Sequence, residues 1–253
     1  RRSSDLFSSL EASRVAILPV PYDFSTSYQG GTRLGPQAIL AASRNMEVWD
    51  DELGPTYRAG IATLPELEPT AEGPGAQVKR VEQAFDYMYD AGKLPVMLGG
   101  EHSITAGAIR AAAKRYGKLS VLQIDAHADM RDEYLETPDS HACVMRRIRE
   151  ICPASSVGIR SLSEEEAVYL REHPAPIWST RQFRALKGDL QPILDSLTEE
   201  VFITFDLDGG HKERLFQNLL PVREVFQTKD LGFEDLMQRD IDDARVSLEL
   251  IPY

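Results

Sequence analysis

The chain predicts an α/β fold built on a mainly parallel sheet. Three observations carry this: short apolar runs recur along the chain, segments of helical periodicity separate them, and several runs stop abruptly at clustered charge. The expected strands, in order, are Val15 to Pro19, Leu94 to Leu98, Ser120 to Ile124, Ser156 to Ile159, Val201 to Phe205 and Val246 to Leu250. Residues 77–91 and 104–116 space their apolar side chains as one face of a helix would. A further helix starts in SLSEEEAVYLREH, because Ser163 followed three residues later by Glu166 is a capping-box pair. Residues 62–76 (ATLPELEPTAEGPGA) are punctuated by Pro and Gly and read as a loop. No repeat or low-complexity tract divides the chain, so residues 1–253 are expected to form a single domain.

Bulk composition narrows the function. A 253-residue chain with 42% hydrophobic content can enclose one sizeable core. Its formal charge of −12 argues against a nucleic-acid or membrane partner, both of which reward clustered Lys and Arg, and suits a small cationic substrate. Cys143 and Cys152 form neither a disulfide framework nor a cysteine metal site. No stretch reaches the roughly 18 apolar residues of a membrane span. The opening RRSSDLFSSLEAS lacks the apolar centre of a signal peptide, and a cytoplasmic location is the expectation.

Three of the strands end alike. VMLGGEHS passes from apolar residues to Glu101 and His102, VLQIDAHAD to Asp125, His127 and Asp129, and VFITFDLD to Asp206 and Asp208. The carboxyl ends of parallel strands share one edge of the sheet, so these groups can meet in space. Two imidazoles and four carboxylates brought together would repel and resist desolvation unless cations compensate them. The oxygen-rich, thiolate-free set His102, Asp125, His127, Asp129, Asp206 and Asp208 suits Mn²⁺ better than structural zinc. Six side chains suit two metals about 3.5–4 Å apart with a shared carboxylate and water. If extended, D-A-H-A-D would aim its three polar side chains to one side.

The combination G-G-E-H-S (99–103), D-A-H-A-D (125–129) and F-D-L-D (205–208) resembles the ureohydrolases, the arginase and agmatinase family. The resemblance begins at VPYDFSTSYQGGTRLGPQAI (20–39), passes through GIRS (158–161) and reaches the end of the chain. It implies a three-layer α/β/α sandwich and two Mn²⁺ per subunit. One metal would be held by His102, Asp125, Asp129 and Asp206, the other by Asp125, His127, Asp206 and Asp208. His141 in SHACVMRR matches the family's mobile, proton-shuttling histidine, and Glu249 in LELIP matches its guanidinium-pairing glutamate.

The activity implied is hydrolysis of a guanidinium compound to urea and an amine. Two cations lower the pKa of water between them, Asp129 accepts a proton, His141 protonates the leaving amine, and Glu249 opposes the planar NH donors. The SHA and VPYDFSTSY stretches look more like agmatinases than arginases, which makes agmatine the expected substrate. Guanidinobutyrate, arginine and formiminoglutamate are the alternatives within the enzyme class, and a non-catalytic metal-binding relative acting through a partner is the alternative outside it. A homo-oligomer, trimer or hexamer, is implied by the family.

The chain departs from the family pattern after Asp208, where D-x-D-x-x-D-P is replaced by DLDGGH with His211 in place of the third aspartate. Either residues are missing there or part of the substrate wall has been lost. Elsewhere, GGTRLGP (30–36) lacks the G-K-[ST] of a phosphate loop and reads as a structural turn. Arg33 is assigned to a loop at the mouth of the site or to a subunit contact. His173 is expected on the surface, and Trp49 and Trp178 are expected to be buried.

Overall fold

A computed structural model describes residues 9–27 and 30–207 and the backbone of 246–252; side chains are described through Asp206. Eight strands form one sheet: β1 (Val15–Pro19), β2 (Ile61–Thr63), β3 (Leu94–Leu98), β4 (Leu119–Ile124), β5 (Ala154–Ile159), β6 (Ile177–Ser179), β7 (Glu200–Leu207) and β8 (Val246–Pro252). Their order is β2-β1-β3-β8-β7-β4-β5-β6, and every pairing is parallel.

Helices cover both faces, because strand alternation feeds two separate cores. Val121 and Phe202 enter one core with Val78, Val81, Phe85 and Met88 of α2 (Pro74–Asp90) and Ile109 and Ala112 of α3 (Thr105–Arg115). Their neighbours Leu122, Val201 and Ile203 enter the other, with Ile193 of α7 (Gln191–Leu194) and Phe183 of α6 (Thr180–Ala185) against it. The α/β/α sandwich expected from the family is therefore borne out. On the first face lie also α4 (Val144–Arg149), through Val144, Met145 and Ile148, and Tyr169 and Leu170 of α5 (Glu164–Glu172).

α2 buries Val78, Val81, Phe85 and Met88, the 3–4 spacing that a one-sided helix requires. Pro74 opens it at a position that needs no amide hydrogen. The loop expected over 62–76 is accordingly shorter, since residues 61–63 pair with β1 at the sheet edge and the helix begins at Pro74. In α5 the Ser163/Glu166 capping box forms as the sequence requires. The glycine-rich stretch at 30–36 does not end as a turn but runs through one 3₁₀ turn into α1 (Gly35–Ala42). Trp49 overturns the expectation of burial: it is 69% exposed, while Trp178 is half-buried against the second core. His173 is exposed, as expected, and stacks on Tyr169. No described helix is long and apolar enough to cross a membrane. Asp208 and His211 lie outside the described residues, as does the join after Asp208.

The chain leaves β3 and next enters the sheet at β4, on the far side of β8 and β7. The carboxyl ends of β3, β4 and β7 therefore gather at the centre of the carboxyl edge, the usual crevice for ligands in open parallel sheets.

Candidate metal centre and active site

His102 lies in the turn after β3, Asp125 directly follows β4, Asp129 lies four residues further on, and Asp206 is near the end of β7. All four are buried, and one potential donor atom from each lies within 4.8 Å of all the others. His102 Nδ1 stands 2.8 Å from Asp129 Oδ2, 3.5 Å from Asp125 Oδ2 and 3.7 Å from Asp206 Oδ2.

The histidine is aimed from behind. Thr204 Oγ1 contacts His102 Nε2 at 3.0 Å, which leaves Nδ1 facing the three carboxylates. Asp125 is held twice, by the Gln123 amide donating to Oδ2 (2.8 Å) and the His127 amide donating to Oδ1 (2.8 Å). Gln123 is itself fixed, because its oxygen accepts the Ser156 hydroxyl (2.6 Å) and its amide also reaches the His127 carbonyl (3.1 Å). Such outer contacts orient metal ligands and set their basicity.

The stretch D-A-H-A-D is not extended. β4 ends at Ile124, the Asp125 carboxylate folds back onto the His127 amide, and Asp129 sits at φ 52°. Asp is among the residues that tolerate this left-handed conformation. As a result Asp125 and Asp129 turn into the cluster together, whereas the His127 side chain is 47% exposed with Nδ1 3.8 Å from Asp125 Oδ1. Two glycines permit the close fit. A side chain at Gly100 would overlap the Tyr22 carbonyl oxygen, and at Gly158 (φ 95°) it would stand 2.9 Å from the Asp125 carbonyl oxygen.

Charge and burial compete here. Burial opposes the His102 imidazolium, but its hydrogen bond to Asp129 and the charges of Asp129, Asp206 and Asp125 raise it to about 10. Burial raises the Asp125 carboxyl to about 7, with Asp129 adding to the effect and His102 opposing it. Three buried carboxylates around one imidazole form an anionic hollow that a divalent cation fits in charge and in donor type.

The loop carrying His141 is tied to this cluster. The Asp129 carbonyl accepts the Met145 amide (3.0 Å), and the Ala142 carbonyl accepts the Arg131 amide (3.1 Å). Half-buried, His141 has Nδ1 3.3 Å from both Ser25 Oγ and Ser140 Oγ, and its ring stands edge-on to Tyr134. Burial lowers its pKa, against the raising influence of Asp129 and Glu101. Glu249 enters through its backbone alone: it is level with Met97 of β3 and Thr204 of β7, midway along β8 rather than at its end. Its side chain lies outside the described residues. Arg33 binds Asp23 (2.8 Å) within its own loop, and Asp132 pairs with Arg146 and Arg147 at the surface.

The sequence profile described as "Arginase family" matches residues 13–211. This chain belongs to the arginase family. Among its relatives in that family is an N(1)-aminopropylagmatine ureohydrolase of Synechocystis sp., 35% identical over 257 residues, covering 93% of this chain and 84% of the relative. An agmatinase of Bacillus anthracis is 30% identical over 207 residues, covering 79% and 69%. The agmatine ureohydrolase structure of Thermoplasma volcanium superposes with a TM-score of 0.81 at 25% identity, covering 100% of this chain and 86% of the other. As an arginase-family enzyme, the chain places its buried His/Asp group at the crevice of the family fold.

Sequence reasoning passed over several residues that shape this site: Ser25, Glu101 as a hydrogen-bond hub, Gln123, Thr204 and Glu166. The last accepts the Met130 amide (2.8 Å) beside Asp129 while also capping α5.

Proposed function

We propose that this chain hydrolyses a guanidinium compound with a cationic tail, agmatine in the first instance, to urea and an amine. The observation that carries the reading is the buried group His102, Asp125, Asp129 and Asp206, assembled from three strand ends beside His141. In this reading His102, Asp125, Asp129 and Asp206 hold one Mn²⁺, and Asp125, His127, Asp206 and Asp208 hold a second. When bound, the two cations supply a water acidic enough to serve as nucleophile near neutral pH. Asp129 accepts a proton from that water. His141 gives a proton to the departing amine nitrogen, and Glu249 sets its carboxylate against the guanidinium NH groups. The net charge of −12 favours the approach of a polycation.

A second substrate is favoured by a specific observation, the 35% identity to an N(1)-aminopropylagmatine ureohydrolase along 93% of the chain. That compound presents the same guanidinium on a longer cationic tail. A urea-release screen with Mn²⁺ across agmatine, N(1)-aminopropylagmatine, arginine, guanidinobutyrate and formiminoglutamate tests both. The two cationic substrates are expected to react and the acids to lag far behind. Absence of urea from every compound would overturn the reading in favour of a metal-binding, partner-associating role.

A further inference from the structure

Behind His141 stands a carboxylate that the reaction above does not use. Glu101 is 3% exposed and accepts three hydrogen bonds: from the Ser25 amide (2.6 Å) and from the Ser25 and Ser103 hydroxyls (2.6 and 2.5 Å). Its own amide donates to the Tyr22 carbonyl (2.7 Å), so the loops after β1 and β3 are locked together at this point. Ser25 is 2% exposed. Its Oγ also accepts the His141 backbone amide (3.1 Å) and lies 3.3 Å from His141 Nδ1.

A serine hydroxyl has one proton and two lone pairs. Ser25 commits its proton to the Glu101 carboxylate, at a distance typical of a short charge-assisted bond. What it offers His141 is therefore lone pairs alone. An unprotonated Nδ1 would meet them lone pair to lone pair, whereas Nδ1–H would donate. Ser140 Oγ, at the same distance, accepts the Ala142 amide and can serve Nδ1 as donor or acceptor, so it does not decide the matter. Tyr134, edge-on to the imidazole with a centroid distance of 5.6 Å, restricts ring rotation.

We propose that Glu101, acting through Ser25, fixes neutral His141 in its Nδ1–H tautomer and so makes Nε2 the atom that takes up the proton released in the reaction and hands it to the departing amine nitrogen. The second half rests on the hydrolytic reading above; the first half does not. Glu101 and Ser25 are positioning residues that touch neither substrate nor metal in this scheme.

The test reads the tautomer directly. Protein labelled with ¹⁵N-histidine has five histidines in all, and His141→Asn identifies the relevant signal. Spectra are taken at about pH 8, where burial keeps His141 neutral, with no metal and with diamagnetic Zn²⁺. The native protein is expected to show a protonated Nδ1 and a lone-pair Nε2. Glu101→Gln keeps the shape of the side chain but turns an amide NH₂ towards the two hydroxyls. Ser25 is then free to donate to Nδ1, and the tautomer shifts to Nε2–H. Ser25→Ala leaves Nδ1 with Ser140, which can donate or accept, so the single Nδ1–H form gives way to a mixture of tautomers, while Ser25→Thr and Ser140→Ala keep the native form. On agmatine with Mn²⁺, Glu101→Gln and Ser25→Ala are expected to lower kcat about tenfold or more with KM and metal content unchanged, and Ser25→Thr to restore it. A native Nε2–H tautomer, or one indifferent to both Glu101→Gln and Ser25→Ala in folded protein, overturns the proposal. Should native protein release no urea, the hydrolytic reading fails while the spectra still decide the tautomer.

Discussion

Loading the centre with a divalent cation must expel protons, and the number expelled is fixed by the two perturbed groups. In metal-free protein His102 is raised to about 10 and Asp125 to about 7. A cation requires both to be unprotonated. At pH 6 both are protonated almost fully, so binding releases about two protons; at pH 8 Asp125 is already ionised and the release falls to about one. Between pH 6 and 8 the apparent affinity should therefore rise about a thousandfold, or about 4 kcal/mol. Were both groups at their ordinary values, the gain would be only about fourfold, from a histidine titrating near 6.5.

Mn²⁺ titrations of chelator-stripped protein, with free ion followed by its electron paramagnetic resonance, give the affinity at each pH. Calorimetry in buffers of different ionisation enthalpy counts the protons. A fourfold gain, or a proton count that stays the same from pH 6 to 8, would refute the electrostatics argued for the cluster. The same shifts set the sign for stability. Each folded-state pKa lies above its unfolded value, so the metal-free protein loses stability from Asp125 as pH rises from about 4 through about 7, and from His102 as it rises through about 10. Added Mn²⁺ should reverse that decline above pH 7 in thermal melts.

Three further substitutions probe the frame. Asp125→Asn and Asp206→Asn should each weaken cation binding by a hundredfold or more, because each carboxylate belongs to both proposed ligand sets; metal analysis showing undiminished occupancy would sink that assignment. Glu166→Ala removes the acceptor of both the Ser163 and Met130 amides, and a loss of about 1–3 kcal/mol in denaturant unfolding, with weaker Mn²⁺ binding, is expected from a broken cap and an unsatisfied buried donor next to Asp129. Stability loss with native cation affinity would show that Glu166 serves the helix alone.

What could be read from the sequence follows from what each element asks of its residues. β1 and β3 occupy the expected limits, and β4, β5, β7 and β8 contain the expected runs, because central parallel strands are buried on both faces and must be apolar throughout. The short edge strands β2 and β6 escape the same reasoning: Ile-Ala-Thr and Ile-Trp-Ser are three residues each, partly exposed, and bounded by residues that read as loop. Trp49 was misjudged since large aromatics are usually buried, yet the segment around it has no described core to enter. For the site, charge at a strand's carboxyl end singled out His102, Asp125, Asp129 and Asp206. The break after Ile124 went unforeseen, because the turn is made by a carboxylate accepting an amide two residues on, which alternation cannot reveal.

Contacts such as Ser25 to Glu101 and Ser25 to His141 span 76 and 116 residues and leave no local trace. Gln123 and Thr204 are different, and their signal was present. Each is a lone polar residue inside an apolar run, VLQI and VFITF, and each precedes a cluster aspartate by two positions. In a strand, period two puts residue i on the same face as i+2, so Gln123 must share a face with Asp125, and Thr204 with Asp206. A polar group in a run buried on both sides is costly unless it is hydrogen-bonded. The cluster supplies that polar company on both faces, and for Gln123 the Ser156 hydroxyl of the neighbouring strand adds to it. From that alone, Gln123 could have been assigned to Asp125, which it contacts at 2.8 Å, and Thr204 to a group beside Asp206, which the structure identifies as His102 at 3.0 Å.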